Sequence, residues 1–385
     1  MIMTNSNLFS KRVLVIVISA LLALMTAMPM ASGQSPSTGQ STNGNEDQEI
    51  KVMTYNLYLG AHLDTVAKAA ASGDQTALIR AVTNAWNNVV ATNFPERADA
   101  LAKEIQQSQP ELINLQEVSR YSTADYPNHP SDVTDLDPNP ADGSDVQYNY
   151  LNLLLDALKN RGLNYTPVVI NKNYDVELPR RDSSSPTGLE NIRMVDRDVI
   201  LARADVPVSA VGQGDFENNL SFPIKVTRGW ASVDITVGGK ASRLINTHLD
   251  PDDLTTNIKQ GNEILHGPAD TPLPVILAGD LNSLPDAPPP TTYKNMIGAG
   301  FTDAWSATHP HPKQLGNTCC HVENLRDTTA LSQRPDLVLL HGSLRAFDAK
   351  VIGGKRSDRT SSGLWPSDHA GVVATLGGQN DQGEQ

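Results

Sequence analysis

Apolar strands that end in polar residues are the feature that most constrains this sequence of 385 residues. The segments are "IKVMTYNLYLG" (50–60), "ELINLQEV" (111–118), "SRLINTHLD" (242–250), "LPVILAGDLNS" (273–283) and "DHAGVVATL" (368–376). Each joins a buried-strand pattern to acid, amide or imidazole groups that core packing does not require. Open sheets place ligand sites at strand ends and in the loops beyond them. We therefore expect these groups to meet at one site.

Helical patterns separate the early strands. One helix is predicted over 94–110, where Pro95 suits the first turn, and a second over 148–162. The second half of the chain is rich in strands, which favours a mixed α+β or layered α/β/α domain. Residues 119–146 are rich in Asp, Pro and Ser and read as a long surface loop. A calcium site there is a weaker alternative, because the acids lack the helix-loop-helix spacing.

The N-terminus has the pattern of an export signal. Lys11 and Arg12 precede an apolar stretch that ends in small residues, so we predict a signal peptide over 1–33 and a secreted, extracellular protein. An uncleaved membrane anchor is the alternative. The remaining predicted units are a flexible linker over 34–48, one domain over 49–377 and a polar tail over 378–385.

Charge and cysteine content narrow the function classes. The formal net charge of −13 argues against a histone-like or polybasic protein that binds nucleic acid through its own cations. It leaves room for an enzyme that approaches phosphates through a metal ion. The two cysteines, Cys319 and Cys320, are adjacent, which excludes a disulfide scaffold. No second cysteine pair completes a soft-metal site with the neighbouring His321.

Oxygen donors dominate the strand-end groups: Asn56, Glu117, Asp280, Asn282 and Asp368. Such donors suit Mg²⁺, or Mn²⁺ or Ca²⁺, and not Zn²⁺. Two imidazoles, His248 and His369, could contact phosphate oxygens or exchange protons. For Asp368 and His369 the alternative is an ordinary surface turn. Taken together, a hard cation, two imidazoles and a base predict hydrolysis of a phosphate ester.

Six blocks in order, "TYNLYLG", "INLQEV", "INTHLD", "LAGDLNS", "RPDLVLL" and "SDHAGV", resemble those of the endonuclease/exonuclease/phosphatase superfamily. The resemblance runs from about Ile50 to Leu376. It implies the deoxyribonuclease-I-like fold, an α+β, four-layer α/β/β/α sandwich, and the activity of a metal-dependent phosphoester hydrolase.

The resemblance also implies a role for each matching residue. Asn56 and Glu117 would hold the metal, with Asp368 as a further or water-mediated ligand. His248 would contact the scissile phosphate. Arg228, in "TRGWASVDI", would be a phosphate clamp.

The other implied roles concern the attacking water and the central imidazole. Asp280 would orient or deprotonate the water, and Asn282 would bind phosphate. His369 would be the central imidazole, and Asp336 would hold its tautomer.

The sequence departs from the family pattern at a few positions. Ala370 follows "SDH" where larger or polar residues are frequent, and Asp198 stands where glycine is often found. The tyrosine used by some nuclease branches has no clear match, with Tyr165 and Tyr174 as candidates. These departures concern the substrate more than the reaction.

The resemblance leaves the substrate open among nucleic acid, phospholipid and small phosphoesters. An extracellular nuclease is favoured over a sphingomyelinase-like phospholipase C or another phosphatase, because the aromatic content of 5% disfavours membrane insertion. We expect membrane contact to be transient at most and no stable protein partner. A secreted binding protein with this fold but no catalysis is the alternative from another class.

Overall fold

The computed structural model describes residues 49–130, 145–221, 225–311 and 313–378. The predicted signal peptide and linker, residues 131–144 of the predicted loop and residues 379–385 of the predicted tail lie outside the described residues. None of the described helices is long and apolar enough to cross a membrane.

The strands follow one another along the chain as β1 (Ile50–Asn56), β2 (Leu112–Gln116), β3 (Arg120–Asp125), β4 (Asp145–Asn149), β5 (Tyr165–Arg181), β6 (Leu189–Arg203), β7 (Ser209–Asp215), β8 (Gly229–Val237), β9 (Lys240–His248), β10 (Val275–Asp280), β11 (Thr302–Asp303), β12 (Asp336–His341), β13 (Leu344–Ile352) and β14 (Gly371–Gly378). The helices are α1 (Asp64–Ser72), α2 (Gln75–Ala91), α3 (Phe94–Ser108), α4 (Tyr150–Asn160), α5 (Leu254–His266), α6 (Thr292–Gly298) and α7 (Ala304–Thr308), with a 3-10 turn at Arg356–Asp358.

The strands form two mixed sheets that pack face to face. The first sheet has the order β13-β14-β1-β2-β6-β3-β4, with β5 also paired to β6. The second has the order β11-β12-β10-β9-β8-β7. Apolar side chains from both sheets form one buried cluster, with Val52 and Ile200 from the first and Leu244 and Ile276 from the second. This shared core explains why the central strands read as nearly continuous apolar runs.

Helices cover the outer face of each sheet. A second apolar cluster joins α2, α3 and α4 to the first sheet, with Trp86, Leu101 and Leu154 among its members. A third joins α5 and α6 to the second sheet through Ile264 and Met296. The layers are therefore helix, sheet, sheet and helix, which confirms the predicted α/β/β/α sandwich.

One sequence prediction is wrong in part. Residues 119–146 were expected to form a surface loop, yet β3 occupies Arg120–Asp125 and pairs antiparallel with β6. Its first residues are buried, although "RYSTAD" lacks an apolar run. Polar side chains such as Ser122 and Thr123 are buried in the sheet, so hydrophobic periodicity does not reveal the strand.

Candidate functional site

Sheet register aligns three of the predicted site residues. β9 runs parallel to β10 and pairs His248 with Asp280 at the ends of the two strands. β12 runs antiparallel to β10 and pairs its first residue, Asp336, with the same Asp280. All three side chains are buried. An imidazole and two carboxylates thus lie side by side at one edge of the second sheet.

Asp280 is the centre of the polar cluster. Its Oδ1 accepts a hydrogen bond of 3.0 Å from the backbone N–H of Asn282. Its Oδ2 accepts one of 3.1 Å from Nδ2 of Asn56. The same Oδ2 lies 3.5 Å from Nε2 of His248 and 3.8 Å from Nε2 of His369. Asp280 therefore faces both imidazoles and the end of β1 in the opposite sheet.

Asp336 orients the imidazole of His369. Its Oδ2 lies 2.8 Å from Nδ1 of His369 and accepts a hydrogen bond of 2.6 Å from Thr318 Oγ1. Because Nδ1 faces the carboxylate, Nε2 is turned toward Asp280. Thr318 was missed at the sequence level, since a single threonine in an irregular segment carries no periodic signal.

Glu117 and Asn56 form the part of the site that belongs to the first sheet. Nδ2 of Asn56 donates to Oε1 of Glu117 over 3.1 Å, and Oδ1 of Asn56 accepts from the backbone N–H of Tyr58 over 2.9 Å. Oε2 of Glu117 accepts from the backbone N–H of Leu59 over 2.7 Å. These contacts fix both side chains and leave lone pairs on their oxygens.

The donor set near Glu117 fits a hard divalent cation. Glu117 and Asp368 line the same cavity, and burial followed by the charge of Glu117 raises the pKa of Asp368 to about 6. The imidazole of His369 opposes this rise. Two carboxylates that line one cavity and interact electrostatically are an arrangement that a cation stabilises. Asp368 also lies 3.9 Å from Nε2 of His62, a residue that the sequence did not single out.

Backbone conformation supports the same site. Glu117 and Asn282 have positive φ values of 55° and 45°. A non-glycine residue in the left-handed region costs on the order of 1–3 kcal/mol unless its side chain compensates locally, as asparagine often does. Such strain is concentrated at functional sites, and here it falls on a predicted metal ligand and a predicted phosphate ligand.

Arg228 extends the site on the other side of His248. Its Nη1 lies 2.6 Å from Nδ1 of His248, which must act as the acceptor because the guanidinium has no lone pair to offer. Within the described residues, Nε of Arg228 is buried and has no hydrogen-bond partner. The guanidinium lies 5.9 Å from the ring centroid of Tyr174, one of the two tyrosines without a motif. Arg228 thus retains donor capacity for an anion.

Two buried acids, Asp196 and Asp198, interact electrostatically with this arginine. Asp196 accepts hydrogen bonds from Ser119 and Asn173, whereas neither carboxylate oxygen of Asp198 has a geometric partner among the described residues. Burial, followed by the charge of Asp196, raises the pKa of Asp198 well above its usual range. Asp198 is the departure from the family pattern noted in the sequence.

The pKa of His248 is lowered, whereas the pKa values of His369 and Asp280 are raised. Burial and the adjacent Arg228 lower the pKa of His248 well below its usual value. Burial disfavours charge on His369 too, but Asp336 and Asp368 outweigh it and raise the pKa of His369. Burial and the charge of Asp336 raise the pKa of Asp280 to about 7. The protein's own charges therefore favour a neutral His248 and a charged His369.

The adjacent cysteines lie next to this site. Sγ of Cys320, the residue that follows Cys319, is 3.9 Å from Nε2 of His369. Cys319, Cys320 and His369 offer ligand atoms within 4.8 Å of one another, so the sequence interpretation against a soft-metal site stays a prediction.

The structure brings all of the predicted site residues to one place through direct contacts or a shared wall: Asn56, Glu117, Arg228, His248, Asp280, Asn282, Asp336, Asp368 and His369. Their individual roles remain predictions. The contributions of His62 and Thr318 could not be read from strand-end patterns, because both residues lie in irregular segments.

Comparison with solved structures supports the fold. A family protein from Beutenbergia cavernae is 18% identical, with a TM-score of 0.51 over 86% of this chain and 72% of that chain. A family protein from Bacteroides vulgatus is 13% identical, with a TM-score of 0.51 over 86% of this chain and 100% of that chain. A third, from Bacteroides thetaiotaomicron, is 16% identical, with a TM-score of 0.50 over 86% and 97%. A comparison with curated proteins found no match.

The sequence itself matches the Endonuclease/Exonuclease/phosphatase family over residues 53–369. This span contains every predicted site residue and most of both sheets. Members of the family are usually metal-dependent and act on phosphoesters such as nucleic acids. With the sandwich fold and the clustered strand ends, the match shows that this chain belongs to the endonuclease/exonuclease/phosphatase superfamily.

Proposed function

We propose that this protein is an exported hydrolase of phosphodiesters that requires a divalent metal ion, with Mg²⁺ as the first candidate and Mn²⁺ or Ca²⁺ as alternatives. The observation that carries the proposal is the position of Asp280 between Asn56, His248 and His369. A non-catalytic binding protein would have no need to hold a carboxylate between two imidazoles in a buried place.

In the proposed reaction, Asp280 orients a water molecule and accepts its proton. The water oxygen forms a bond to phosphorus, the bond from phosphorus to the leaving oxygen breaks, and the leaving group departs with the electron pair and takes up a proton from solvent water. A cation held by Glu117, Asn56 and Asp368 would neutralise charge on the phosphate oxygens.

The imidazoles act on the same phosphate. Charged His369, held by Asp336, donates from Nε2 to a phosphate oxygen as negative charge develops. Neutral His248 donates from Nε2 because its Nδ1 accepts from Arg228. Nδ2 of Asn282 donates one N–H to the carbonyl of Leu249 over 3.0 Å, and its second N–H donates to the phosphate.

Two substrate classes are candidates, nucleic acid and lipid-like phosphodiesters. The sequence favours nucleic acid. The alternative, a lipid-like phosphodiester of the kind cleaved by phospholipase C enzymes, is favoured by a specific observation, because a large apolar cavity adjoins Glu117, Arg228 and Asp368.

The test is a panel of DNA, RNA, sphingomyelin and bis(4-nitrophenyl) phosphate, each with Mg²⁺, Mn²⁺, Ca²⁺ or chelator. We expect at least one substrate to be hydrolysed with a metal ion and not with chelator. Asp280→Asn should abolish that activity, whereas Asp270→Asn, an exposed acid near the end of α5, should retain it. Absence of metal-dependent hydrolysis across the panel would contradict the proposal.

A further inference from the structure

A cavity of about 450 Å³ adjoins the candidate site. Glu117, Arg228 and Asp368 form part of its wall, so it is continuous with the place where the phosphate is proposed to bind. Its volume lies within the range of about 300–1,000 Å³ that small-molecule sites occupy. The cavity is therefore large enough for a substantial part of a substrate beyond the phosphate.

The rest of the wall is mainly apolar. It includes Val66 and Ala67 from α1, Ala85 and Trp86 from α2, and Ile192 and Met194 from β6. Tyr121 also lines the cavity, but its hydroxyl already donates to the carbonyl of Leu59 over 2.7 Å. Asp64, Asp250 and Asp252 also line the cavity, but most of the lining surface is apolar.

This chemistry separates two kinds of substrate. A nucleobase carries donors and acceptors on its edge, and burying them against an apolar wall without partners is unfavourable. An aliphatic chain has no such groups and gains from every methylene that it removes from water. The formal net charge of −13 further disfavours a polyanion, whereas a single phosphodiester brings one negative charge to Arg228.

We propose that this cavity binds an aliphatic chain of the phosphoester substrate, which places the phosphate against Arg228 and the strand-end cluster. The inference rests on the proposed hydrolase function and narrows its substrate class to phosphoesters that carry an alkyl or acyl chain. Arg228 holds the phosphate end, and the helices α1 and α2 cover the chain.

The first experiment measures chain-length dependence. The probes are methyl, butyl and octyl 4-nitrophenyl phosphate, below their micellar concentrations, with Mg²⁺ or Mn²⁺. We expect kcat/KM to rise by about fourfold for each added methylene until the chain fills the cavity. Hydrolysis of all three esters at equal kcat/KM would overturn the chain site and leave the hydrolase function intact.

A binding measurement separates this inference from the function on which it rests. Butyl methyl phosphate and octyl methyl phosphate lack the nitrophenolate leaving group, and calorimetry reports their affinity without turnover. Tighter binding of the octyl compound supports the chain site even if none of the nitrophenyl esters is hydrolysed, a result that would contradict the hydrolase function alone. Equal affinity of the two compounds would overturn the chain site.

Variants that fill the cavity test its location. Ala85→Trp on α2 and Ala67→Phe on α1 each place a large side chain in the wall, from two different helices. We expect both to bring the octyl-to-methyl ratio of kcat/KM, or the matching ratio of affinities, close to one. Ala91→Trp, at an exposed position of α2 outside the wall, should keep the wild-type ratio. Circular dichroism verifies folding, and retention of the ratio in a folded Ala85→Trp or Ala67→Phe would overturn the assignment.

A nucleoside ester tests the alternative that the cavity binds a nucleobase. Thymidine 5′-(4-nitrophenyl) phosphate offers a base and a sugar in place of the chain. If its kcat/KM exceeded that of the octyl ester and fell in Ala85→Trp, the cavity would be a nucleobase site and the proposal would be wrong. We expect it to be hydrolysed no faster than the methyl ester.

Discussion

Asp336 and His369 are joined across the two sheets of the sandwich. Oδ2 of Asp336, the first residue of β12, lies 2.8 Å from Nδ1 of His369, which precedes β14 in the other sheet. The contact is buried on both sides. It fixes the direction of the imidazole in the way that carboxylates do in hydrogen-bonded catalytic sets.

This contact predicts that the two residues act as one unit. We expect His369→Ala to lower kcat by about 10³-fold or more, and Asp336→Asn to lower it less, because the imidazole remains but loses its orienting acceptor. The double variant should be scarcely slower than His369→Ala alone. The measurement is a double-mutant cycle on turnover, with circular dichroism to verify folding. Losses that simply multiply would show that the residues act independently.

Glu117 is predicted to be the carboxylate that coordinates the metal ion directly. Glu117→Gln keeps an oxygen to accept from Leu59 or Asn56, so the fold should be preserved, but it removes the negative charge. We expect weaker binding of Mn²⁺ by calorimetry and a loss of about 10²-fold or more in turnover at limiting metal. Glu177→Gln, in β5 and paired with His129, is the control and should bind metal as the wild type does. Unchanged metal affinity in Glu117→Gln would remove Glu117 from the site.

The strand-end part of this site could be predicted from sequence for a physical reason. A buried strand reads as an apolar run, and a charged group at its end is costly unless it has a function, so Asp280 and Glu117 stand out. Sheet register then brings His248, Asp280 and Asp336 together without further information.

The cavity could not be predicted in the same way. α1 and α2 carry amphipathic patterns that are the same whether the apolar face covers a core or an open pocket. Ala67 and Ala85 are unremarkable in sequence and become informative only because they line the space beside Arg228. The strand β3 was missed because its buried residues are mostly polar and therefore form no apolar run.

Export remains a prediction that a direct measurement can check. If residues 1–33 are a signal peptide, protein recovered from outside the cell should begin between Ser32 and Ser37, because cleavage follows the small-residue exit of the apolar stretch. N-terminal mass spectrometry gives this position. Membrane-bound protein that retains Met1 would favour the anchor instead.

The buried carboxyl group of Glu104 makes the free energy of unfolding depend on pH. Its Oε2 accepts a hydrogen bond of 3.0 Å from Tyr55, and Oε1 has no partner among the described residues. Burial raises the pKa of Glu104 to about 8, against 4.5 for the unperturbed group, and the bond from Tyr55 opposes the rise only in part. The folded state therefore holds a proton that the unfolded state releases between these two values.

The sign of the effect follows from this difference in proton binding. A raised pKa in the folded state gives stability that is fully present below pH 4.5 and is lost as pH rises toward 8. Glu104→Gln mimics the protonated acid at every pH. Relative to the wild type, we expect its free energy of unfolding to increase by up to about 1.4 kcal/mol per pH unit across this window.

Urea unfolding at three pH values between about 5.5 and 8.5 measures this difference. Glu96→Gln on the same helix is the matched control. Burial alone would raise the pKa of Glu96, but hydrogen bonds from Ser362 and Ser361 outweigh it and lower that pKa to about 2. Glu96 is then ionised in both states throughout the tested range, so the difference between Glu96→Gln and the wild type should not change with pH. If the difference in free energy of unfolding between Glu104→Gln and the wild type also did not change with pH, Glu104 would be charged in the folded protein.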